Sequence, residues 1–103
     1  MKGLPNIQKM LKAAQEMQAK LQKEMAEMRV EGSSGGGMVT VELDGTKNIL
    51  SLRIDPEVVN PEEVEMLQDL IIAAYSDAAN KVNEIISEKL KVFGPGFNLP
   101  GLF

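Results

Sequence analysis

The sequence predicts an α+β domain in which one helix is followed by an antiparallel β-meander of two or three strands and then by a second, long helix. Three observations predict this order. Apolar residues recur every three or four positions before residue 30 and again after residue 60, which is typical of amphipathic helices. Between these regions apolar and polar residues alternate, which is typical of half-buried strands. A glycine-rich run separates the first helical pattern from the alternating one.

The first predicted helix carries an apolar stripe along one face. Its members are Ile7, Met10, Leu11, Ala14, Met17, Leu21, Met25 and Met28. A helix of about 24 residues is about 36 Å long, which is as long as a compact domain of this size is wide. We therefore expect this helix either to project from the domain or to pack against a partner.

Four lysines lie on the opposite side of the same helix, within an arc of about 80° when successive residues are placed 100° apart. We call this set the lysine face: Lys9, Lys12, Lys20 and Lys23. A row of point charges about 20 Å long can follow a phosphate backbone. The alternative is a solvated surface on which Glu16 pairs with Lys12 or Lys20 at the i,i+4 spacing. Charge runs are usually solvated surface, so the spacing alone favours that alternative.

The charge of the chain is unevenly distributed along its 103 residues. The formal net charge is −4, an average that would argue against nucleic acid as a partner. However, residues 1–30 hold six basic and three acidic groups, whereas residues 55–80 hold seven acidic groups and no basic one. Since exposed charges more than about 8 Å apart are largely screened at physiological salt, a basic face can function on an acidic protein.

The composition argues against most kinds of chemical site. The chain has no cysteine and no histidine, which excludes disulfides, thiolate or imidazole metal sites and the commonest general base. Asp69 and Asp77 lack a partner that would make one an acid and the other a base. The longest apolar run, Leu70 to Tyr75, is too short to span a membrane, and no signal-peptide pattern follows Met1. We expect a single cytoplasmic domain over residues 1–103, with no metal, no cofactor, no membrane partner and no small-molecule substrate.

The strands are predicted from alternation and from the turns between them. Met38 to Leu43 and Leu50 to Ile54 alternate, and Asp44-Gly45 between them is a turn signal. Arg29 to Glu31 is a candidate third strand that pairs across the glycine-rich run Gly32 to Gly37. That run is not expected to bind nucleotides, because Met38 follows it where a phosphate loop has lysine.

The second helix is predicted to begin at Asn60-Pro61-Glu62-Glu63, which combines an N-cap, a proline at the first helical position and a carboxylate at the third. Its apolar face extends to about Val92. The segment 93–103 is rich in glycine and proline, and it holds all three phenylalanines: Phe93, Phe97 and Phe103. Packing of these rings against a partner subunit is favoured over stacking on DNA bases, and disorder of the segment is a third alternative.

Several segments in this order resemble the YbaB/EbfC family of bacterial nucleoid-associated proteins. They are the opening helix rich in lysine, glutamine and methionine, the stretch Val30 to Val39 with its glycines, Gly45, Ile54-Asp55-Pro56, Glu65 to Ile71 with Ala74 and Asp77-Ala78 after it, and Pro100-Gly101-Leu102-Phe103. The resemblance covers the whole length of the chain. Gln68 stands where the family often has glutamate, and Ser76 where asparagine is common.

The resemblance implies a homodimer, joined through its sheet and second helices, whose projecting helices bind duplex DNA like tweezers and without enzymatic activity, in the nucleoid. The residues expected at the dimer interface are Val39, Val41, Leu70, Ile71, Ala74 and Ala78. We expect the lysine face of each subunit to contact phosphates, with Lys2, Lys89 and Lys91 as additional candidates. Because lysines act as point charges, the expected sequence preference is weak or modest.

A hypothesis from another class competes with DNA binding. In a protein-interaction module, the apolar stripe of the first helix would hold a partner protein, and the lysines would only keep the surface soluble. An enzyme is the least favoured class, because histidine, cysteine and a paired-carboxylate arrangement are all missing.

Overall fold

The computed structural model of the chain describes residues 4–91, and these confirm the predicted α+β fold. The elements in chain order are α1 (Leu4–Glu27), β1 (Val30–Ser34), β2 (Val39–Leu43), β3 (Ile49–Ile54) and α2 (Val64–Leu90). Single turns of 3₁₀ helix at Gly35–Gly37 and Pro56–Val58 join β1 to β2 and follow β3. Lys2 and the phenylalanine-containing segment lie outside the described residues.

The three strands form one antiparallel sheet in the order β1-β2-β3. The candidate third strand is confirmed, and it extends further than the sequence indicated, to Ser34. The glycine-rich turn after it has positive φ at Gly35, Gly36 and Gly37, with values of 59°, 68° and 95°. Residues other than glycine adopt this conformation at a cost, so the run serves to reverse the chain between β1 and β2.

The core lies between the sheet and α2, which packs against β1 and β2. β2 buries the residues on one of its faces: Val39, Val41 and Leu43. α2 buries every fourth residue of its central and final turns: Ala74, Ala78, Val82, Ile86 and Leu90. The two small alanines allow α2 to approach β1 so closely that a Cβ on Gly32 would overlap the backbone nitrogen of Ala78. The packing therefore requires glycine at position 32.

β3 is more exposed than its alternating sequence indicates. Its register places Leu52 beside Val41, on the same face as the core residues of β2. Because α2 packs mainly against β1 and β2, Leu52 remains 43% exposed, and Ile49 remains 58% exposed. The alternation identified the face correctly, but no other element of the described chain covers it.

The β2–β3 loop is fixed by the buried carboxylate of Asp44. One oxygen, Oδ1, accepts hydrogen bonds from the backbone N–H of Thr46 at 2.8 Å and of Asn48 at 3.0 Å, and from the Thr46 hydroxyl. Burial raises the pKa of Asp44, but these hydrogen bonds outweigh it and hold the pKa below its usual value. The bonds form the turn predicted at Asp44-Gly45.

α2 begins at Val64, later than the predicted start at Asn60. Asn60 does make a bond typical of a cap, because its Oδ1 accepts from the backbone N–H of Glu62 at 3.0 Å. This bond, together with one from the Glu63 N–H to the Asn60 carbonyl at 2.9 Å, closes a separate turn ahead of the helix. The predicted cap was therefore wrong for α2: Asn60 closes a turn of its own, and α2 begins after Glu63 without a side-chain cap.

Candidate nucleic-acid interface

Most of α1 projects from the rest of the molecule. Every residue from 6 to 20 is exposed, and we call this part of the helix the arm. The described part of the chain measures 74 × 23 × 17 Å, with a radius of gyration of 19.3 Å. A compact chain of this length would have a radius of about 13 Å. The length of the helix led us to expect that it either projects or packs against a partner, and in the single chain it projects.

The base of α1 is held by its last turns. Met25 is buried in the core, and its carbonyl accepts a hydrogen bond from the backbone N–H of Gly45 at 2.8 Å. A Cβ on Gly45 would lie 2.7 Å from the Cα of Met25, so the hairpin loop lies directly against the helix backbone. On the other side, Lys89 Nζ of α2 lies 3.6 Å from Glu24 Oε2. These contacts from two elements fix the position of the helix base, and with it the direction of the arm.

The four lysines of the lysine face are all exposed, as their helical positions predict. Among the residues that the structure describes, none of the four has a carboxylate within 4.0 Å, including Glu16. The local pairing that would make them ordinary solvated surface is therefore not formed. Lys9, Lys12 and Lys20 extend into solvent from the arm, and Lys23 is exposed at its base, which leaves all four accessible to a large anionic partner.

The other candidate lysines lie in different surroundings. Lys89 is paired with Glu24, and Lys91 Nζ lies 2.9 Å from Glu88 Oε1. Both lie at the end of α2, beside the base of α1 and away from the arm. Lys2 lies outside the described residues. The structure thus brings the lysine face together on one surface and places Lys89 and Lys91 at its lower end, each with a carboxylate neighbour.

The profile of the YbaB/EbfC DNA-binding family matches residues 1–97. The chain belongs to this family. A nucleoid-associated protein of Alkaliphilus metalliredigens is 46% identical over 106 residues, which cover 100% of this chain and 93% of that protein. A nucleoid-associated protein of Geobacillus kaustophilus is 53% identical over 104 residues, which cover 98% of this chain and 96% of that protein. The resemblance drawn from the sequence is confirmed.

The fold has also been observed by crystallography. The crystal structure of an uncharacterised Helicobacter pylori protein matches with a TM-score of 0.74 and 24% identity, over 85% of this chain and 94% of that one. At this identity the match shows the fold alone. Membership in a DNA-binding family, with relatives named as nucleoid-associated proteins, confirms the prediction that the chain is not an enzyme.

Between residues 4 and 91, no cluster of three or more carboxylates is arranged to hold a metal ion. No helix in the same range is long and apolar enough to cross a bilayer.

The residues that the family resemblance placed at a dimer interface lie in two environments. The side chains of Val39, Val41, Ala74 and Ala78 are at most 1% exposed in the single chain, so they have almost no surface left for a second one. Leu70 and Ile71 are partly exposed. Both still have surface that a partner subunit can contact.

Sequence reasoning missed the apolar side chains that the described residues leave exposed. They include Ile49, Leu50 and Leu52 of β3 and Ile72 of α2, of which Ile72 is 64% exposed. Tyr75, one helical turn from Ile72, donates a hydrogen bond from its hydroxyl to the Lys47 carbonyl, so this flank of α2 lies on the β3 side. Leu50, Leu52 and Ile72 were all recognised as apolar or strand positions, but no sequence signal distinguished covered from uncovered positions.

Proposed function

We propose that the chain binds duplex DNA in the bacterial nucleoid, and therefore in the cytoplasm, as a homodimer whose lysine faces contact phosphates. The observation that carries the proposal is the lysine face: four exposed ammonium groups without carboxylate partners in the described chain, on a helix that projects away from the acidic body. Family membership supports DNA as the partner.

The arrangement predicts how the DNA is recognised. Lysines attract phosphate oxygens as point charges and carry little information about base sequence. We expect weak or modest sequence preference and an affinity that falls steeply with salt, because each neutralised phosphate contributes about −0.9 to the slope of log K against log salt. Lys89 and Lys91 are additional candidates, but they must exchange an existing carboxylate neighbour for a phosphate.

The uncovered apolar surface of β3 and α2 supports the dimer. β3 is an edge strand with exposed apolar side chains at Ile49, Leu50 and Leu52, and Ile72 is exposed on the flank of α2 that lies on the β3 side. Exposed apolar side chains of this kind are typical of protein–protein contacts, and an open strand edge adds unpaired backbone groups. We propose that the two subunits meet here, with Ile71 at the border of the contact. In such a dimer the two arms extend from one joined body.

The test is a salt titration of DNA binding with variants of the lysine face. Fluorescence anisotropy with a short labelled duplex is measured for the wild type and for a variant with Lys12→Gln, Lys20→Gln and Lys23→Gln. If all three lysines contact phosphate, the salt slope becomes shallower by about 2.7 per bound subunit. Wild-type protein that shows no salt-sensitive binding would overturn the proposal.

The matched control makes the same change in net charge on another side of the arm. Gln15→Glu, Gln18→Glu and Gln22→Glu lie away from the lysine face and also lower the net charge by about three. We expect this variant to bind somewhat more weakly through general repulsion while keeping the wild-type slope. If the salt slope becomes shallower by the same amount in both variants, the lysines act through the total charge and not as a defined face. If neither variant changes DNA binding, while binding of a partner protein through the apolar stripe persists, the protein-interaction hypothesis is favoured.

A further inference from the structure

The apolar stripe of α1 changes its surroundings along the helix. At the base, Met25 is buried, and Leu21 and Met28 are partly buried against the core. Along the arm the same stripe is open to solvent: Ile7 is 50% exposed, Met10 69% and Leu11 59%. Large apolar side chains at regular spacing on a solvated helix form a surface suited to another apolar segment. Within residues 4–91, nothing covers it.

The segment 92–103 has the chemistry to cover it. Its sequence, Val-Phe-Gly-Pro-Gly-Phe-Asn-Leu-Pro-Gly-Leu-Phe, contains no charged residue in an otherwise charged chain, and half of its residues are large and apolar. The glycines and prolines disfavour a continuing helix and favour an extended course. Methionines such as Met10 and Met17 adapt their shape to aromatic rings and make favourable sulfur–aromatic contacts.

The segment also starts in the right place. Leu90, the last residue of α2, is buried in the same core cluster as Met25, and the neighbouring Lys89 reaches Glu24 of α1. Chain that continues from Lys91 therefore leaves the body beside the base of α1, on the side where the stripe enters the core. The segment can reach the stripe without passing over the lysine face.

The length of the segment is sufficient. Twelve extended residues span up to about 40 Å, while the distance along the helix from Met25 to Met10 is about 22 Å. Phe97, six residues beyond Lys91, can reach up to about 20 Å, which corresponds to the level of Met17 or beyond. Residues nearer position 103 can reach Ile7.

We propose that residues 92–103 lie along the apolar stripe of α1 in the same chain, with Phe97 against Met17. A second copy of the arm is the main competing occupant. Attachment to the same chain gives the segment an effective concentration of about the millimolar range, which an intermolecular arm–arm contact does not have at ordinary protein concentrations. The lysine face stays uncovered, so the proposal goes beyond DNA binding and does not depend on it.

The experiment uses a tryptophan reporter, because the natural chain has no tryptophan. Phe97→Trp is introduced into the full chain, and its emission maximum and its quenching by acrylamide are measured. We expect blue-shifted emission and slow quenching. Adding Met10→Gln and Met17→Gln should abolish both features, because glutamine removes the apolar contact while keeping helix propensity. Emission typical of free tryptophan that the stripe substitutions do not change would overturn the proposal.

A matched control replaces two alanines of the arm that lie off the stripe. Ala13→Gln and Ala19→Gln should leave the emission of the Phe97→Trp chain unchanged, and circular dichroism should show equal helix content in both double variants. An equal red shift in both would mean that the reporter responds to the arm in general, which contradicts docking on the stripe.

A second measurement identifies which chain supplies the stripe. The natural chain also lacks cysteine, so Met17→Cys can carry a single spin label that quenches a nearby tryptophan. Quenching is expected when label and Phe97→Trp are on the same chain, with no change upon dilution. Quenching that occurs only between mixed chains, or that disappears upon dilution, would overturn the assignment in favour of a second copy.

Discussion

The two edges of the β-sheet are completed in different ways. At β1, α2 supplies the missing partners: Asp77 Oδ2 accepts from the backbone N–H of Ser33 at 3.0 Å, and Lys81 Nζ donates to the Glu31 carbonyl at 3.3 Å. At β3, no hydrogen bond from the described residues reaches the outward backbone groups. One edge is closed within the chain, and the other is left open beside exposed Leu52.

The difference indicates where a second chain can add to this fold. An open edge with apolar side chains on an otherwise charged protein favours pairing with another strand, and proteins that remain monomeric usually block such edges. Here the side-chain groups that hydrogen-bond to a sheet edge, within the described residues, are at β1. Because one edge is closed and the other is open, a second chain can extend the sheet at one edge only. This fits a dimer that adds no further chains.

The closed edge is the part of the molecule most sensitive to substitution. Gly32→Ala places a Cβ within 2.6 Å of the Ala74 carbonyl oxygen and closer still to the Ala78 nitrogen, both of them backbone atoms. Since neither can move without shifting α2 as a whole, we expect a loss of about 4 kcal/mol or more in the free energy of unfolding. Urea unfolding followed by circular dichroism, at one fixed protein concentration, measures it.

The control for this substitution lies in the glycine-rich turn. Gly36→Ala meets no atom within 4 Å, but the residue has φ of 68°. We expect a cost of about 1–2 kcal/mol from backbone strain alone. If Gly32→Ala cost no more than Gly36→Ala, α2 would not be packed against β1 as closely as described.

A charge on the open edge should separate the proposed dimer while leaving each chain folded. Leu52→Lys puts an ammonium group in the proposed contact, and because Leu52 is 43% exposed in the single chain, the core loses little. Loss of a central contact of this kind costs about 2 kcal/mol or more, which is about a thirtyfold weaker association. Sedimentation equilibrium measures the change in mass.

The matched substitution on the closed edge is Ser33→Lys. Ser33 is exposed, and its bond to Asp77 is made by the backbone, so the new side chain leaves that bond in place. We expect the mass of this variant to equal that of the wild type. Dissociation by Ser33→Lys but not by Leu52→Lys would show that the chains meet at β1 instead.

The sequence predicted which residues of an element share a face better than it predicted which other element covers that face. Alternation correctly gave β2 one buried face, whereas along the arm residues of every face are exposed. Periodicity reports which side chains share a face, but not which other element lies over that face. For this reason Val39 and Ala78, expected at a dimer interface, lie inside the single chain, whereas Leu52, with the same pattern, remains uncovered.

The contacts that close β1 could not be predicted, because they join residues far apart in sequence. The sequence indicates only that Asp77 has no acid–base partner, and in the structure it pairs with Lys81 at 3.2 Å. Its bond to Ser33 depends on the way α2 crosses β1, which is set by Gly32 of β1 and by Ala74 and Ala78 of α2. No local sequence pattern predicts how α2 crosses β1.

The smallest expected effect concerns this same carboxylate. The backbone N–H of Ser33, together with Lys81, holds the pKa of Asp77 below its usual value of 3.8. A lowered pKa means that the bond is fully present above pH 3.8 and is lost as the pH falls below it, so the edge should open locally in acid and not in base. Asp77→Ala should remove this dependence. The protection of the Ser33 amide against hydrogen exchange, followed by NMR at several pH values, measures it.

Asp69→Ala is the matched control, because Asp69 lies on the same helix and makes no side-chain hydrogen bond within the described residues. We expect Asp77→Ala to lower the protection of Ser33 and to leave the amides of β2 unchanged, since these are paired on both sides by the sheet. Asp69→Ala should change neither. Equal protection of Ser33 in all three proteins would mean that the backbone of β1 is shielded by the close approach of α2 alone, and that the carboxylate adds nothing to the closure of this edge.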